Sequence, residues 1–362
     1  MRSVLKKKEA KEIFSKKLML WDSKKNTRKM PWKGQKDPYK IWLSEIILQQ
    51  TRVEQGLNYY NRFIHAFPTI HDLAKAEDKK ILKLWEGLGY YTRCRNLIET
   101  SRIISKKYNG IFPETYTELK ALKGVGHYTA SAIASFAFKQ PHAVVDGNVF
   151  RVLSRVFGIK EPVDTGKGKK IFTSLAEELL NKKNPGKYNQ AIMDFGAVVC
   201  KPLSPFCQNC PFKNFCYAHL KKQVAALPVK KKKTTIKSRW FNYLVLTHKN
   251  QIIINQRIQK DIWQQLFEFP MIETPFEKKP EAVLRNAENS GWIKNGLYEI
   301  VEVSPKFKQQ LSHQLIHARF LWIGLKEKSN GTGNWQFVKK EELKHFPFPK
   351  LINNYLVQSK FL

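Results

Sequence analysis

The spacing of apolar residues divides the chain into a helical region and a region of strands. From residue 1 to about 220, apolar side chains recur at the period of an α-helix that buries one face. The clearest helix start is Asp37-Pro38, a capping residue followed by the proline that favours the first helical position. Further helices are predicted over residues 54–66, 79–87, 93–107, 115–121 and 128–138, and after Gly147.

Beyond residue 240, short runs of β-branched and aromatic residues are typical of strands. Strands are predicted over residues 243–246, 252–255, 297–303 and 319–324, with one helix over 280–290. Residues 223–239, which include the run Lys230 to Lys233, have neither period nor acidic residue and are predicted as a linker. The sequence therefore predicts a mostly α domain over 1–222, a basic linker over 223–239 and an α+β domain over 240–362.

The charge of the chain indicates an anionic partner. Its 362 residues include 64 Lys and Arg against 30 Asp and Glu, a formal net charge of +34. The first 239 residues carry +28 of this excess, and no carboxylate occurs between Asp194 and Asp261. With aromatic residues interleaved, nucleic acid is favoured over a membrane surface. No apolar run reaches the roughly 20 residues that cross a bilayer, and the N-terminus lacks a signal-peptide core, so a cytoplasmic location is expected.

Four cysteines lie within a short segment near the end of the predicted helical domain. Cys200, Cys207, Cys210 and Cys216 are separated by six, two and five residues. This clustering predicts one metal centre rather than disulfides, because a cytoplasmic chain keeps its thiols reduced. Zinc sites usually have two similar cysteine pairs across a longer loop, so the compact, irregular spacing favours a [4Fe-4S] cluster, with zinc as the alternative.

The segment Leu-Lys-Gly-Val-Gly at 122–126 joins two predicted helices. Gly124 and Gly126 let the backbone approach a neighbour closely, and the N–H groups that begin the second helix can hold a phosphate. An ordinary turn between helices is the alternative. The basic composition and the cysteine cluster favour a helix-hairpin-helix that binds the DNA backbone.

Two carboxylates have unlike predicted surroundings. Glu45 lies on the helix from Pro38 with apolar residues one turn away on either side, so loss of water is expected to raise its pKa and keep a proton available. Asp146 precedes the helix at Gly147, where N–H groups and the helix dipole are expected to keep it ionised. Such an acid–anion pair can break a glycosidic bond. The alternatives are a surface glutamate and a purely capping aspartate.

Several motifs together resemble the MutY-type adenine DNA glycosylases along essentially the whole chain. They are Pro31-Trp32, the run from Asp37 to Glu45, Leu48-Gln49-Gln50-Thr51, Gly87-Leu88-Gly89-Tyr90-Tyr91, the hairpin, the run from Val145 to Val152, and the four cysteines. The resemblance implies a helix-hairpin-helix glycosylase domain with a [4Fe-4S] cluster and a C-terminal domain similar to MutT. It also implies removal of adenine mispaired with 8-oxoguanine or guanine in double-stranded DNA, by a monomer associated with the nucleoid.

The resemblance assigns roles to single residues. Glu45 corresponds to the acid that protonates adenine N7, and Asp146 to the carboxylate at the sugar. Tyr128 and Asn148 match residues that position Asp146 and the water or substrate beside it. Gln50 and Tyr90 match two side chains that are inserted into the duplex when adenine is flipped out. Three further residues match neighbours of the adenine pocket, namely Trp32, Lys33 and Gln190.

Tyr128 separates this chain from the related endonuclease III family. That family shares the hairpin, the aspartate and the cysteines, but has a Schiff-base lysine where this chain has Tyr128. A phenol cannot form the imine, so a monofunctional glycosylase that leaves an abasic site is predicted. The alternatives are a bifunctional lyase acting on oxidised pyrimidines and a non-catalytic DNA-binding module.

The C-terminal region resembles MutT at residues 263–270 but lacks the carboxylate-rich helix of a Nudix hydrolase, since Glu281 and Glu288 are too few to bind its metal. The domain is therefore predicted to recognise 8-oxoguanine without hydrolysing nucleotides. Ser312 is the expected hydrogen-bonding group. Leu311 stands where the family often has a phenylalanine that stacks, and a structural turn is the alternative for this loop.

Overall fold

A computed structural model describes residues 7–231, 235–328 and 334–361. The chain divides into two compact units, one containing Met1–Lys75 and Arg95–Lys232 and the other containing Ala76–Cys94 and Lys233–Leu362. Lys232 and Lys233, the second half of the predicted lysine run, lie outside the described residues. Within the described ranges, no helix is long and apolar enough to span a membrane.

The first unit is helical, which confirms the predicted fold class. In chain order the helices are α1 (Lys7–Lys25), α2 (Pro38–Leu48), α3 (Val53–Ala66), α4 (Ile70–Lys75), α5 (Asp78–Trp85), α6 (Tyr91–Lys107), α7 (Tyr116–Ala121), α8 (His127–Phe136), α9 (Gly147–Phe157), α10 (Gly166–Leu179), α11 (Pro185–Val198) and α12 (Tyr217–Leu220). Of these, α5 belongs to the second unit, and the boundary at Cys94 falls inside α6.

Side-chain caps fix where several of these helices begin. Asp37 accepts a hydrogen bond from the backbone N–H of Tyr39 at the start of α2, and Asp146 accepts one from Val149 at the start of α9. Each cap supplies a partner to an N–H group that the first turn leaves unpaired. The two carboxylates of interest are therefore placed by capped helices, Glu45 within α2 and Asp146 at the first residue before α9.

Aromatic packing joins α1, α11 and the cysteine-bearing segment in a core of the first unit. Phe14 of α1 stacks on Phe212 at 4.6 Å between ring centroids, and Phe212 lies 4.9 Å from Phe195 of α11. All three rings are at most 1% exposed. Phe212 lies between Cys210 and Cys216, so the cysteine-bearing segment is anchored in the same core.

The second unit is built on a mixed β-sheet. Its described strands are β1 (Lys237–His248), β2 (Gln251–Gln256), β3 (Phe267–Glu268), β4 (Met271–Thr274), β5 (Tyr298–Val303), β6 (Phe307–Gln310), β7 (Gln314–Leu325) and β8 (Trp335–Lys339). The main strand order is β3-β2-β1-β7-β5, with β1 and β7 parallel at its centre. Helices α13 (Pro280–Asn289) and α14 (Lys350–Gln358) complete the unit.

The segment predicted as a linker ends inside this unit. β1 begins at Lys237, and Arg239 pairs with Asp261 and Glu273 at 2.8 and 2.7 Å, so the last residues of segment 223–239 are part of the sheet.

Helix α5 is tied to the C-terminal residues of the same unit. There the Lys83 ammonium donates to the Phe346 carbonyl at 3.0 Å, while Glu86 accepts from the Phe348 N–H at 2.8 Å.

Candidate active site

A cavity of about 1190 Å³ opens in the first unit. Its walls come from the loop before α2, the C-terminal end of α2, the first residues of α8 and α9, and α11. It is lined by most of the residues predicted to act on DNA or adenine: Trp32, Lys33, Glu45, Gln50, Gly124, Gly126, Tyr128, Asp146, Asn148 and Gln190. Folding thus brings positions from distant parts of the sequence into one cleft, named here the catalytic cleft.

Glu45 lies in this cleft on a buried stretch of α2. Its side chain is 7% exposed. Burial raises the pKa of Glu45 to about 7, a hydrogen bond with Tyr128 opposes the rise, and the nearby Asp146 charge adds to it. Near neutral pH, a large fraction of Glu45 therefore carries a proton, as a general acid requires.

Asp146 occupies the N-cap of α9, as the sequence predicts. Its Oδ1 accepts from the Val149 N–H at 2.8 Å, and its Oδ2 accepts from the Asn148 amide at 2.8 Å. Burial nevertheless raises the pKa of Asp146, because the loss of water outweighs these hydrogen bonds. The anion is thus less favoured than the capping position alone predicts, and it stands to gain more from a cation placed beside it.

Arg151 links Asn148 to the cysteine-bearing segment. Its Nη2 donates to Asn148 Oδ1 at 2.8 Å and to the Gly196 carbonyl at 2.8 Å, and its Nε donates to the Cys200 carbonyl at 2.7 Å. Because an arginine can only donate, Asn148 must turn its oxygen toward Arg151 and its NH₂ toward Asp146. A chain of hydrogen bonds therefore runs from the Cys200 backbone to the Asp146 carboxylate, and sequence spacing did not reveal it.

Tyr128 stands at the start of α8, facing Glu45. Its hydroxyl is hydrogen-bonded to the Glu45 carboxyl and lies 3.4 Å from the Met193 sulfur. Burial holds the pKa of Tyr128 far above its usual range, and the charges of Glu45 and Asp146 raise it further. Tyr128 is therefore a neutral phenol over the whole working pH range.

The part of the cleft wall that carries Lys33 and Gln190 is organised around a residue that sequence reasoning missed. Asp194 of α11 is fully buried and accepts four hydrogen bonds, from Asn26, Arg28, Lys33 and Gln190. The signal that indicated Glu45, an acidic residue among apolar residues of a helix, could also have indicated Asp194. Asp194 lies one turn after Gln190, in the run Ala-Ile-Met-Asp-Phe-Gly at 191–196.

The hairpin between α7 and α8 has the geometry that its glycines predict. Gly124 has a φ of 73°, and a Cβ there would lie 2.7 Å from Asn96 Cβ, so only glycine fits. Gly126, the N-cap of α8, has open space where a Cβ would be. The N–H groups at this helix start are therefore accessible to an anion.

The two side chains predicted to enter a duplex have uncommon backbone conformations. Gln50 has a φ of 57° and Tyr90 a φ of 46°, the left-handed region that non-glycine residues seldom adopt. Both are exposed. Within the second unit, the Tyr90 hydroxyl lies 2.6 Å from Ser312 Oγ, which places Tyr90 beside the loop expected to read 8-oxoguanine.

The four clustered cysteines line one small cavity of the first unit, together with rings such as Phe195 and Phe212. None of the four forms a disulfide. Burial raises the pKa of Cys210 to about 12 and that of Cys216 to about 11. Arg155 Nη1 lies 3.5 Å from Cys200 Sγ. In the described part of the chain, no group of three or more His, Cys, Asp or Glu side chains is arranged to hold a metal ion.

Comparison with known proteins gives two family matches and relatives that align over half or more of the chain. The HhH-GPD superfamily of base excision DNA repair proteins matches residues 43–182, and the NUDIX domain family matches residues 242–358. The adenine DNA glycosylase of Buchnera aphidicola subsp. Baizongia pistaciae is 35% identical over 325 residues, which cover 89% of each chain. The adenine DNA glycosylase of Homo sapiens is 42% identical over 201 residues, 53% of this chain and 37% of that protein.

A solved structure supports the same fold for the first part of the chain. A thermostable thymine-DNA glycosylase superposes with a TM-score of 0.55 at 28% identity, covering 59% of this chain and 98% of that one.

Proposed function

The chain belongs to the adenine DNA glycosylase family, and from this premise we propose how its residues remove adenine and from which mispairs. As a member, it is a DNA N-glycosylase that removes adenine in base-excision repair. The proposed substrate is adenine mispaired with 8-oxoguanine or guanine in double-stranded DNA, and the proposed product is an abasic site. The observation that carries this proposal is the group Glu45, Tyr128 and Asp146 in one cleft.

Glu45 is proposed as the general acid. With a pKa of about 7, it is protonated in about half of the molecules at neutral pH and can give its proton to N7 of an adenine flipped into the cleft. Protonation makes the base a neutral leaving group. The Tyr128 hydroxyl holds the Glu45 carboxyl in place.

Asp146 is proposed as the carboxylate at the sugar. As the C1′–N bond breaks, positive charge develops on the deoxyribose, and an anion at this place stabilises the cation or captures it covalently until water attacks. Asn148 and the Val149 N–H orient the carboxylate. Burial, which raises the pKa of Asp146, strengthens its attraction to that charge because little water screens the pair.

The proposed enzyme is monofunctional, because Tyr128 has no amine to form an imine with the opened sugar. The alternative, an endonuclease III-like lyase acting on oxidised pyrimidines, would need a lysine there.

Base flipping and lesion reading are proposed for the exposed residues. Gln50 and Tyr90 would enter the duplex, supported by their left-handed backbones, while Gly124 and Gly126 hold the DNA backbone. Ser312 would hydrogen-bond 8-oxoguanine, with Leu311 providing weaker contact than an aromatic ring. We further propose that the protein acts as a monomer at the nucleoid.

A [4Fe-4S] cluster is proposed at Cys200, Cys207, Cys210 and Cys216. The chemistry of the donors fits, since four cysteines without disulfides line one apolar cavity, with the Arg155 guanidinium beside Cys200 to offset negative charge. When bound, the cluster would tie residues 200–216 together through four thiolates. Iron and sulfide analysis tests this, and one zinc per chain would contradict it.

Single-turnover release of adenine tests the proposed function. Duplexes with adenine opposite 8-oxoguanine, adenine opposite guanine, and thymine glycol opposite adenine are compared. We expect adenine release from the first two without strand cleavage. Excision of thymine glycol with retention of adenine, or efficient borohydride trapping of a covalent adduct, would support the lyase instead.

A further inference from the structure

Asp194 is a buried charge that no step of the proposed reaction uses. It lies on α11 behind the wall of the catalytic cleft and is 0% exposed. Its Oδ1 accepts from Arg28 and Gln190 at 2.9 and 3.0 Å, and its Oδ2 accepts from Asn26 and Lys33, both at 2.9 Å. Each oxygen therefore has two donors, and two of the four donors are cations.

Burying a carboxylate is unfavourable unless it is well paired, so a buried and fully paired carboxylate suggests a role beyond packing. The donors indicate what that role is. Arg28, Lys33 and Gln190 all line the catalytic cleft, whereas Asp194 does not. The loop from α1 to α2, which carries Trp32 and Lys33, is thereby fastened to α11. Lys33 also donates to the Arg28 carbonyl at 3.1 Å, so the loop is held to itself at the same point.

The chemistry of the carboxylate fixes the orientation of Gln190. An amide can present either its oxygen or its NH₂ to a neighbour, but an ionised carboxylate only accepts. Gln190 must therefore give its NH₂ to Asp194, whose Oδ1 is 3.0 Å from Gln190 Nε2. The amide oxygen of Gln190 is left as an acceptor in the wall of the cleft.

We propose that Asp194 is a positioning residue that makes the cleft selective for a base with an exocyclic amino group, through the fixed amide of Gln190. This inference rests on the proposed function and adds a specificity determinant to it. Adenine carries a hydrogen-bond donor at N6, whereas unsubstituted purine has none at that carbon. An amide oxygen that is fixed as an acceptor favours adenine over unsubstituted purine, whereas an amide that can rotate discriminates less between the two bases.

The test is the ratio of single-turnover rates for adenine and for unsubstituted purine, each placed opposite 8-oxoguanine. Asp194→Asn keeps the shape but lets Gln190 turn, so we expect the ratio to fall about tenfold, the value of one hydrogen bond. Asp194→Glu keeps an acceptor-only carboxylate and should keep the ratio within about twofold of wild type. Glu178→Gln, which removes an equal charge from the exposed Lys11 pair, is the matched control and should leave the ratio unchanged.

A merely structural role would slow both bases equally and leave the ratio unchanged, which would overturn the proposal. The route through Gln190 is tested by adding Asp194→Asn to Gln190→Ala, where no further change in the ratio is expected and an additional tenfold fall would contradict it. Failure of both Asp194 variants to fold would likewise assign a structural role. Absence of adenine release by the unmodified protein would count against the proposed function alone, since the inference concerns only the change in the ratio.

Discussion

The catalytic cleft and the Tyr90–Ser312 pair are built in opposite ways. In the cleft, Glu45, Tyr128 and Asp146 are enclosed, and burial raises the pKa of each. Tyr90 and Ser312, in the second unit, are exposed side chains that share a single hydrogen bond. The contrast matches the proposed roles. Breaking the glycosidic bond would require acids with shifted pKa values, which burial supplies, whereas reading a base within DNA would require exposed side chains that can reach it.

The largest effect is expected at the sugar side of the cleft. Asp146→Asn keeps the shape of the N-cap but removes the negative charge, so we expect adenine release to fall by about a thousandfold or more. Binding to a duplex with adenine opposite 8-oxoguanine, measured by fluorescence anisotropy, should stay within about threefold, since phosphate contacts supply most of that affinity. A comparable loss of binding would show that Asp146 is structural.

A smaller effect is expected from the hydrogen-bond chain behind the cleft. Arg151→Lys keeps the charge but cannot reach Asn148, Gly196 and Cys200 together, so we expect release to slow by about 10- to 100-fold. Arg155→Lys is the matched control, because Arg155 bonds to the Lys201 and Leu227 carbonyls and not to Asn148.

Rates for this pair of variants are normalised to iron content, which separates loss of a cluster from loss of catalysis. Arg155→Lys should then have a normal rate per iron-loaded molecule. Equal slowing by both variants would contradict a specific route through Arg151.

The smallest effect is expected at the exposed pair. Ser312→Ala and Tyr90→Phe remove the same hydrogen bond from either side, and an exposed bond contributes about 0.5–1.5 kcal/mol. Ser312→Ala should lower release opposite 8-oxoguanine by a few-fold and leave release opposite guanine unchanged. Tyr90→Phe, which keeps the ring, should have no larger effect. A hundredfold loss of adenine release opposite both 8-oxoguanine and guanine would contradict the smaller role expected for this pair.

The contrast between the regions also explains how much the sequence could predict. Helix α2 and the Asp146 cap follow from short-range signals, a capping residue and an apolar face, and both were found within a residue or two. The short strands β6 and β8 were not found, because pairing with β7 and β2 stabilises them and their own residues carry little pattern.

Long-range partnerships were beyond sequence reasoning for a physical reason. The donors to Asp194 include Lys33, 161 positions earlier, and nothing in local spacing indicates that pairing. The upward shift in the pKa of Asp146 was also missed, since the sequence shows the cap but does not show how much water the folded cleft removes. The assignment of Ser312 to 8-oxoguanine stays a prediction.

The dependence of adenine release on pH tests the central claim most directly. If Glu45 must be protonated and has a pKa of about 7, the single-turnover rate should fall about tenfold for each pH unit above 7. Glu45→Gln should be slower by about 10²- to 10⁴-fold and should lack this fall, because it has no proton to lose. A wild-type rate that is constant from pH 6 to about pH 9, or a fall that persists in Glu45→Gln, would contradict Glu45 as the general acid.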